Sequence, residues 1–545
     1  MADTLIDPST MQPGPDSPEI EEEAKKALAK LIKEEIESDE DAERLVAINR
    51  ARRNQQFMKG NQFLSPKWNP DGSADFASAL AFDGDRDGTQ ARFAYTANIT
   101  RGDGMKYIAV VGQRAPNVIA VADDVDDNES VRNARKTNVA VRSLMRKWKA
   151  ASKQKILAYN QWATGPTYGL TVYVSDELKY GVTEEPIIEQ VERIGENGMP
   201  VSVPVQNGSR KYPNGDVELH LFNILHVTHP FAARSVEECG YFTIRYLEDK
   251  AKLLALYRDK LGDLTRDSSE PEGTSSANQL SADEAMDAAF SPNYIGNPKR
   301  KNRWSWGRTW LRPCKFELLK DVALRGYCQK TFPSGVKVVQ LGDKVIELVP
   351  EKLDDVVVSC KTATDENIIS DPLCEDSIAI QRACNDVIGL AVETVLRGIP
   401  KTMVEAGLLD REALKRNEAV VGELIEVLRH PTGRKLEDAL AKLPLAEFSP
   451  QLPNLLTLLR AWGQDINGIR PEIYGGGPPT NTFREAKQRK DQAMMQLQPS
   501  FDEMQRFWER VTENGARQLA RFGTGIIKQK SEGSEFGAET EVVEI

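Results

Sequence analysis

Residues 472–487, EIYGGGPPTNTFREAK, limit the fold more than any other stretch, because three glycines and two prolines in a row force the backbone to stop and restart. Pro478 and Pro479 lack backbone donors and fix φ near −65°, so neither a helix interior nor a central strand runs through them. A glycine-rich turn ahead of a helix is also a common phosphate cradle, which raises the question of nucleotide chemistry. The residues answer against it. A P-loop ends in a lysine and a hydroxyl residue, and no lysine closes the loop after Gly475, Gly476 and Gly477. A dinucleotide site needs GxGxxG after a strand, and the residues preceding Gly475 read as helix. Thr482 and Glu485 instead make a capping box for a helix over FREAKQRKDQAMMQLQ. Gly475, Gly476, Gly477, Pro478 and Pro479 therefore read as a hinge.

The same punctuation organises the rest of the chain. Pro499 interrupts the helical pattern, and Ser500 with Glu503 gives a second capping box before FDEMQRFWERVTENGARQLARFG. Asp371 and Pro372 read as N-cap and first-turn proline of a helix with Ile380, Ala383, Cys384, Val387, Ile388, Ala391 and Val395 at the 3.6-residue period. A leucine-rich helix, NLLTLLRAWGQDI, ends at Gly468. At the other end, Ser17 and Pro18 open a helix with Ala24, Ala27, Leu28, Leu31 and Ile32 on one stripe, and a second helix starts near Asp39. Residues 93–124 predict a helix crossing to a strand, and a strand follows Gly165. Residues 182–248 are β-rich, a short helix follows, and residues 265–302, rich in Ser, Glu and Pro, predict a mobile arm. A second β-rich block runs from Trp304 to about residue 362. No regular βαβ rhythm and no fixed repeat appear, so the class is α+β, mainly helical.

Composition excludes more than it assigns. No window approaches the roughly 18 unbroken apolar residues of a membrane span, so a soluble protein is expected. The acidic, proline-containing start lacks the basic and apolar regions of a secretory signal, and synthesis in a cytoplasm is expected. A net charge of −11 argues against a general basic surface for DNA, so contact with nucleic acid should be local or loose. The six cysteines show no zinc spacing and read as buried free thiols. If HLFNILHVTHP is one strand, His220 and His226 share a face and His229 takes the other, which disfavours a metal site. The acidic run at Asp123, Asp124, Asp126 and Asp127 lacks the spacing of a calcium loop and reads as a solvated turn. No catalytic motif, metal or cofactor is indicated.

Two basic clusters stay open to both readings. Lys299, Arg300, Lys301 and Arg303, flanked by Trp304 and Trp306, suit either an acidic or nucleic-acid partner or a solvated loop end. Arg429, His430, Arg434 and Lys435 sit in a Pro/Gly loop, which is equally an ordinary surface turn.

Taken in order, RRNQQFMKGNQF (52–63), YTANITRGDGMKYIAVVGQRAPNVIAV (95–121), GPTYGLTVYVSD (165–176) and LLTLLRAWGQDINGIRPEIYGGGPPTNTFREAK (455–487) resemble the portal, or head-to-tail connector, proteins of tailed bacteriophages. The last piece, a helix, Gly-Ile-x-Pro, a glycine loop and a helix, is the most specific. The resemblance covers roughly residues 40–525. It implies an elongated subunit with wing, stem, clip and crown, assembling into a ring, usually of twelve copies, around a central channel for DNA packaging and ejection. The implied parts are an N-terminal wing (1–245), a stem-proximal helix and mobile loop (246–303), a clip (304–365), a stem helix (366–400), a channel loop with wing helices (401–481), a crown (482–525) and a flexible acidic tail (526–545). It places Lys401, Arg429, His430, Arg434 and Lys435 near DNA, and Lys299, Arg300, Lys301, Arg303, Trp304 and Trp306 as candidates for docking partners. Those partners are the terminase large subunit, the major capsid protein and head-tail adaptor or tail proteins, with no membrane, in a virion assembled in the host cytoplasm. The alternatives are another non-enzymatic virion protein, such as an adaptor or scaffold, and, less favoured, a nucleotide-driven packaging enzyme.

Overall fold

The computed structural model describes residues 18–36, 42–60, 62, 64–68, 74–78, 96–113, 116–175, 177–194, 200–257, 303–341, 344–362, 366–397, 402–404, 440–442, 451–474, 483–522, 526–530 and 540–544. The helices are α1 (Pro18–Leu31), α2 (Ala42–Lys59), α3 (Ile99–Val111), α4 (Asn128–Lys147), α5 (Ala150–Ala163), α6 (Glu177–Tyr180), α7 (Lys250–Leu256), α8 (Val322–Thr331), α9 (Ile378–Arg397), α10 (Gln451–Ile466), α11 (Phe483–Met495) and α12 (Gln498–Phe522). The strands are β1 (Leu64–Trp68), β2 (Ala74–Ser78), β3 (Thr167–Ser175), β4 (Val182–Ile194), β5 (Pro200–Pro213), β6 (Gly215–Asn223), β7 (Val227–Thr228), β8 (Tyr241–Asp249), β9 (Arg303–Leu311), β10 (Val336–Leu341), β11 (Lys344–Pro350), β12 (Val357–Cys360), β13 (Thr402–Val404), β14 (Leu440–Lys442), β15 (Ile526–Lys530) and β16 (Thr540–Glu544). The fold is mixed α and β, mainly helical.

Two antiparallel sheets organise it: β11-β10-β9-β8-β7 and β12-β3-β6, accompanied by the two-stranded pairs β1-β2, β4-β5, β13-β14 and β15-β16. Both larger sheets take strands from either side of residues 258–302, since β9 pairs with β8 and β12 pairs with β3. β3 is buried on both faces. Tyr168 and Leu170 meet Phe242, Ile244, Trp310 and Val357 on one side. On the other, Gly169 admits the ring of Phe507 from α12, which a Cβ would meet at 2.7 Å.

Around that second face α4, α5 and α12 close one core, with Leu144, Trp148, Leu157, Trp162, Phe507, Trp508 and Val511 all buried. Two of its three indole donors are matched: Trp508 Nε1 donates to Gln154 Oε1 at 2.6 Å and Trp148 Nε1 to the Val217 carbonyl at 2.7 Å, while the buried Trp162 Nε1 has no partner among the described residues. α1 behaves as its stripe predicts. Ala24, Leu28, Leu31 and Ile32 are buried in a separate cluster with Phe316, Phe332 and Val338.

Four local readings need correction. After α3, residues 116–122 run extended without a ladder, because the Asn138 amide brackets Ala120, accepting its N–H at 2.7 Å and donating to its carbonyl at 2.9 Å. The histidine segment is not one strand: Asn223 Oδ1 accepts from Leu225 N at 3.1 Å and starts a 3-10 turn at Ile224–His226, after which β7 joins the other sheet. Asp371 and Pro372 do not open α9, which begins at Ile378. Leu373 and Cys374 instead donate to the carbonyls of Gln161 and Trp162 at the end of α5, and Asp371 pairs with Arg50 at 2.6 Å. Finally, α12 starts at Gln498 with Pro499 in its first turn, so Ser500 is a buried helical residue and not a cap.

Candidate functional site

Most of the sequence-predicted contact residues fall outside the described residues: Lys299, Arg300, Lys301, Lys401, Arg429, His430, Arg434, Lys435, and the hinge residues Gly475, Gly476, Gly477, Pro478 and Pro479. β13 and β14 pair antiparallel, Met403 opposite Ala441. Arg303 and Trp304 open β9 opposite Asp249 and Glu248. Trp306 is a correction. It is 2% exposed, packed with Leu253, Val339, Leu341 and Ile346, and its ring lies 5.0 Å from Tyr257, so it has no surface to offer a partner. Thr482 lies outside the described residues, and Glu485, its capping-box partner, pairs with Arg489 at 2.6 Å.

The chemically competent side chains serve the fold. His229 Nδ1 donates to the Pro230 carbonyl at 2.9 Å, which leaves Nε2 to accept from the Tyr168 hydroxyl at 2.7 Å. Burial pushes the His229 imidazole down to about 4, so it stays neutral in the folded protein at neutral pH. His220 faces Glu218 at 3.1 Å, while Glu218 also holds Lys179 and accepts from Tyr180 at 2.7 Å. No group of histidine, cysteine, aspartate and glutamate among the described residues has metal-site geometry. Five of the six cysteines are buried free thiols, with burial raising Cys239 to about 12 and Cys328 to about 11, and Cys314 is the exposed exception. The acidic turn is a helix start, in which Asp127 accepts from Glu129 N and Ser130 N and caps α4.

What the described surface does present is an unpartnered apolar face on α10. Leu452, Leu456 and Leu459 pack on Ile380, Ala383, Cys384 and Val387 of α9, and buried Gly463 faces Ile380. α9 is itself anchored by an amide network. Gln381 Oε1 accepts from Ile99 N at 2.8 Å and Thr100 N at 3.0 Å, and Asn385 Nδ2 donates to Gln62 Oε1 at 2.6 Å. Roughly a quarter-turn around α10, at 100° per residue, lies a second apolar stripe. Its members Leu455, Leu458, Trp462 and Ile466 are 42%, 46%, 51% and 51% exposed. The 3-4-4 spacing of these residues is that of a helix seam that seats on another protein surface. Both stripes were visible as leucine content in the sequence; which one meets α9 is a tertiary fact.

No protein-family model matches this chain. No curated protein matches it in sequence.

Proposed function

We propose that this chain is the subunit of a portal: a ring, of about twelve copies by the family resemblance, at one vertex of a tailed-phage capsid, through which DNA is packaged and later ejected. The observation that carries the reading is the open stripe Leu455, Leu458, Trp462 and Ile466. It belongs to the segment in which the resemblance is most specific, and a rigidly anchored helix with half-exposed tryptophan and leucines is a surface made to be covered. A closed ring of identical subunits joins two different surfaces of neighbouring copies, and this stripe supplies one of them. The partners under this reading are a second copy of the chain, duplex DNA in transit, the terminase large subunit, the major capsid protein and head-tail adaptors. Lys401, Arg429, His430, Arg434 and Lys435 are its channel candidates; Lys299, Arg300, Lys301, Arg303 and Trp304 are its docking candidates. Among the described residues, no helix is long and apolar enough to cross a membrane.

The test is assembly of a double variant, Leu458→Glu with Trp462→Glu. Sedimentation should shift from a ring to free subunits, while the melting temperature changes little because neither side chain is in the core. A variant that still forms wild-type rings removes the support the stripe lends.

A further inference from the structure

We propose that the outer face of α4 binds the phosphate backbone of duplex DNA. This goes beyond the portal reading and requires only the subunit surface. α4 carries Arg132, Arg135, Lys136, Arg142, Arg146 and Lys147, and its one acidic residue, Glu129, sits in the first turn. At 100° per residue Arg132, Arg135, Arg142 and Arg146 fall within an arc of roughly 80°, opposite buried Val141 and Leu144, over a rise of about 21 Å. All four are exposed, and so is Lys149 just beyond the helix.

None of the four makes an ion pair or a side-chain hydrogen bond with the described residues, in a chain holding 82 carboxylates against 71 lysines and arginines. On α12 exposed arginines find acids, Arg506 meeting Glu503 at 2.8 Å, Arg510 meeting Glu237 at 2.7 Å and Arg517 meeting Glu513 at 2.6 Å. Arg101, Arg460, Arg484 and Arg521 are exposed without an acidic partner among the described residues, and what sets α4 apart is that it gathers four such arginines on one arc. Even on α4 the cation nearest the sheet is neutralised, Lys147 by Asp216 at 2.7 Å. The exposed, unpaired arginines thus gather on the outer arc. The backbones of β15 and β16 come up against α4 as well, and the arginines stay exposed beside them.

Chemistry favours a nucleic acid over an acidic protein. A protein interface is anchored by apolar or aromatic side chains that lose water, and no large apolar residue is exposed on α4. Exposed Asn128 lies on the same arc, one turn before Arg132, with a side chain that can donate to phosphate oxygens. Counterion release needs no apolar anchor, and guanidinium groups meet phosphate bidentately.

The experiment is fluorescence anisotropy of a random-sequence DNA duplex titrated with the full chain over a salt series, with poly-glutamate as a second probe. Four phosphate contacts give a log K against log salt slope of roughly −3.6, which is roughly a hundredfold loss of affinity between 50 and 200 mM salt. Replacing Arg132, Arg135, Arg142 and Arg146 by Gln should reduce the slope magnitude by about 3 to 4, and replacing all four by Lys should keep it. If the fourfold variant does not fold, Arg142→Gln alone should lower the slope by about 1. An unchanged slope in the Gln variants overturns the proposal. So does binding of poly-glutamate through these residues with no binding of the duplex.

Discussion

Helices α4 and α12 touch at Gly515, bury their inner faces in one core, and differ in what they show to water. On α12 the exposed charges alternate in sign along the helix, and Glu503–Arg506 and Glu513–Arg517 close within one turn. Such pairs are worth a few tenths of a kcal/mol each and leave the surface electrically quiet. On the outer arc of α4 the four exposed arginines share one sign and make no ion pair with the described residues. The core asks the same of both helices, so the difference between their outer faces is what the DNA proposal rests on. The stripe on α10 makes the same point with apolar side chains. One arc of that helix packs on α9, and the neighbouring arc, Leu455, Leu458, Trp462 and Ile466, is exposed.

The largest effect is expected across β3 from the core that α4 and α12 share. β3 seats α12 on one face and holds His229 through Tyr168 on the other. The His229 imidazole is held near 4, against 6.5 when unfolded. The folded state therefore binds fewer protons in that window, and the stability from the neutral imidazole is complete above pH 6.5 and lost as pH falls to about 4. The gap corresponds to about 3 kcal/mol. Denaturant titrations from pH 7 to pH 4 should show this decline, and His229→Gln should flatten it; an identical slope in the variant would assign the decline to other groups.

A smaller effect tests whether core and surface are separable at the helix contact. A Cβ on Gly515 would lie 2.6 Å from Trp148 Cη2 and 3.1 Å from Leu144 Cδ1. Gly515→Ala should lower stability by about 1 to 3 kcal/mol, measured by thermal unfolding, because a ring and a helix must move apart. It should leave the salt slope for DNA unchanged. A changed slope would mean that α4 is not a rigid platform and that the contrast between the helices is one of packing as well as charge.

The parts of the fold legible in the sequence were those encoded locally. The stripe of α1, the leucine face of α10, and the strand after Gly165 follow from side-chain period and turn chemistry. Gly165 sits at φ 91°, where a Cβ would lie 2.5 Å from the Ser370 carbonyl, so its turn was dictated by residue type. What was not legible depends on distant partners. The onset of α9 is set by backbone bonds to α5, and the burial of Trp306 by β-strand pairing with residues about sixty positions away. The arginines of α4 were visible as letters, in VRNARKTNVAVRSLMRK. That they find no acidic partner among the described residues is a property of the folded surface, and a net charge of −11 conceals it.

The portal reading stands on assembly, so the most direct test is the mass and shape of the purified full-length particle, by native mass spectrometry with negative-stain class averages. The account expects a closed ring of about twelve subunits with a central hole wide enough for duplex DNA. A particle that stays monomeric at micromolar concentration, or that assembles without a hole, contradicts it.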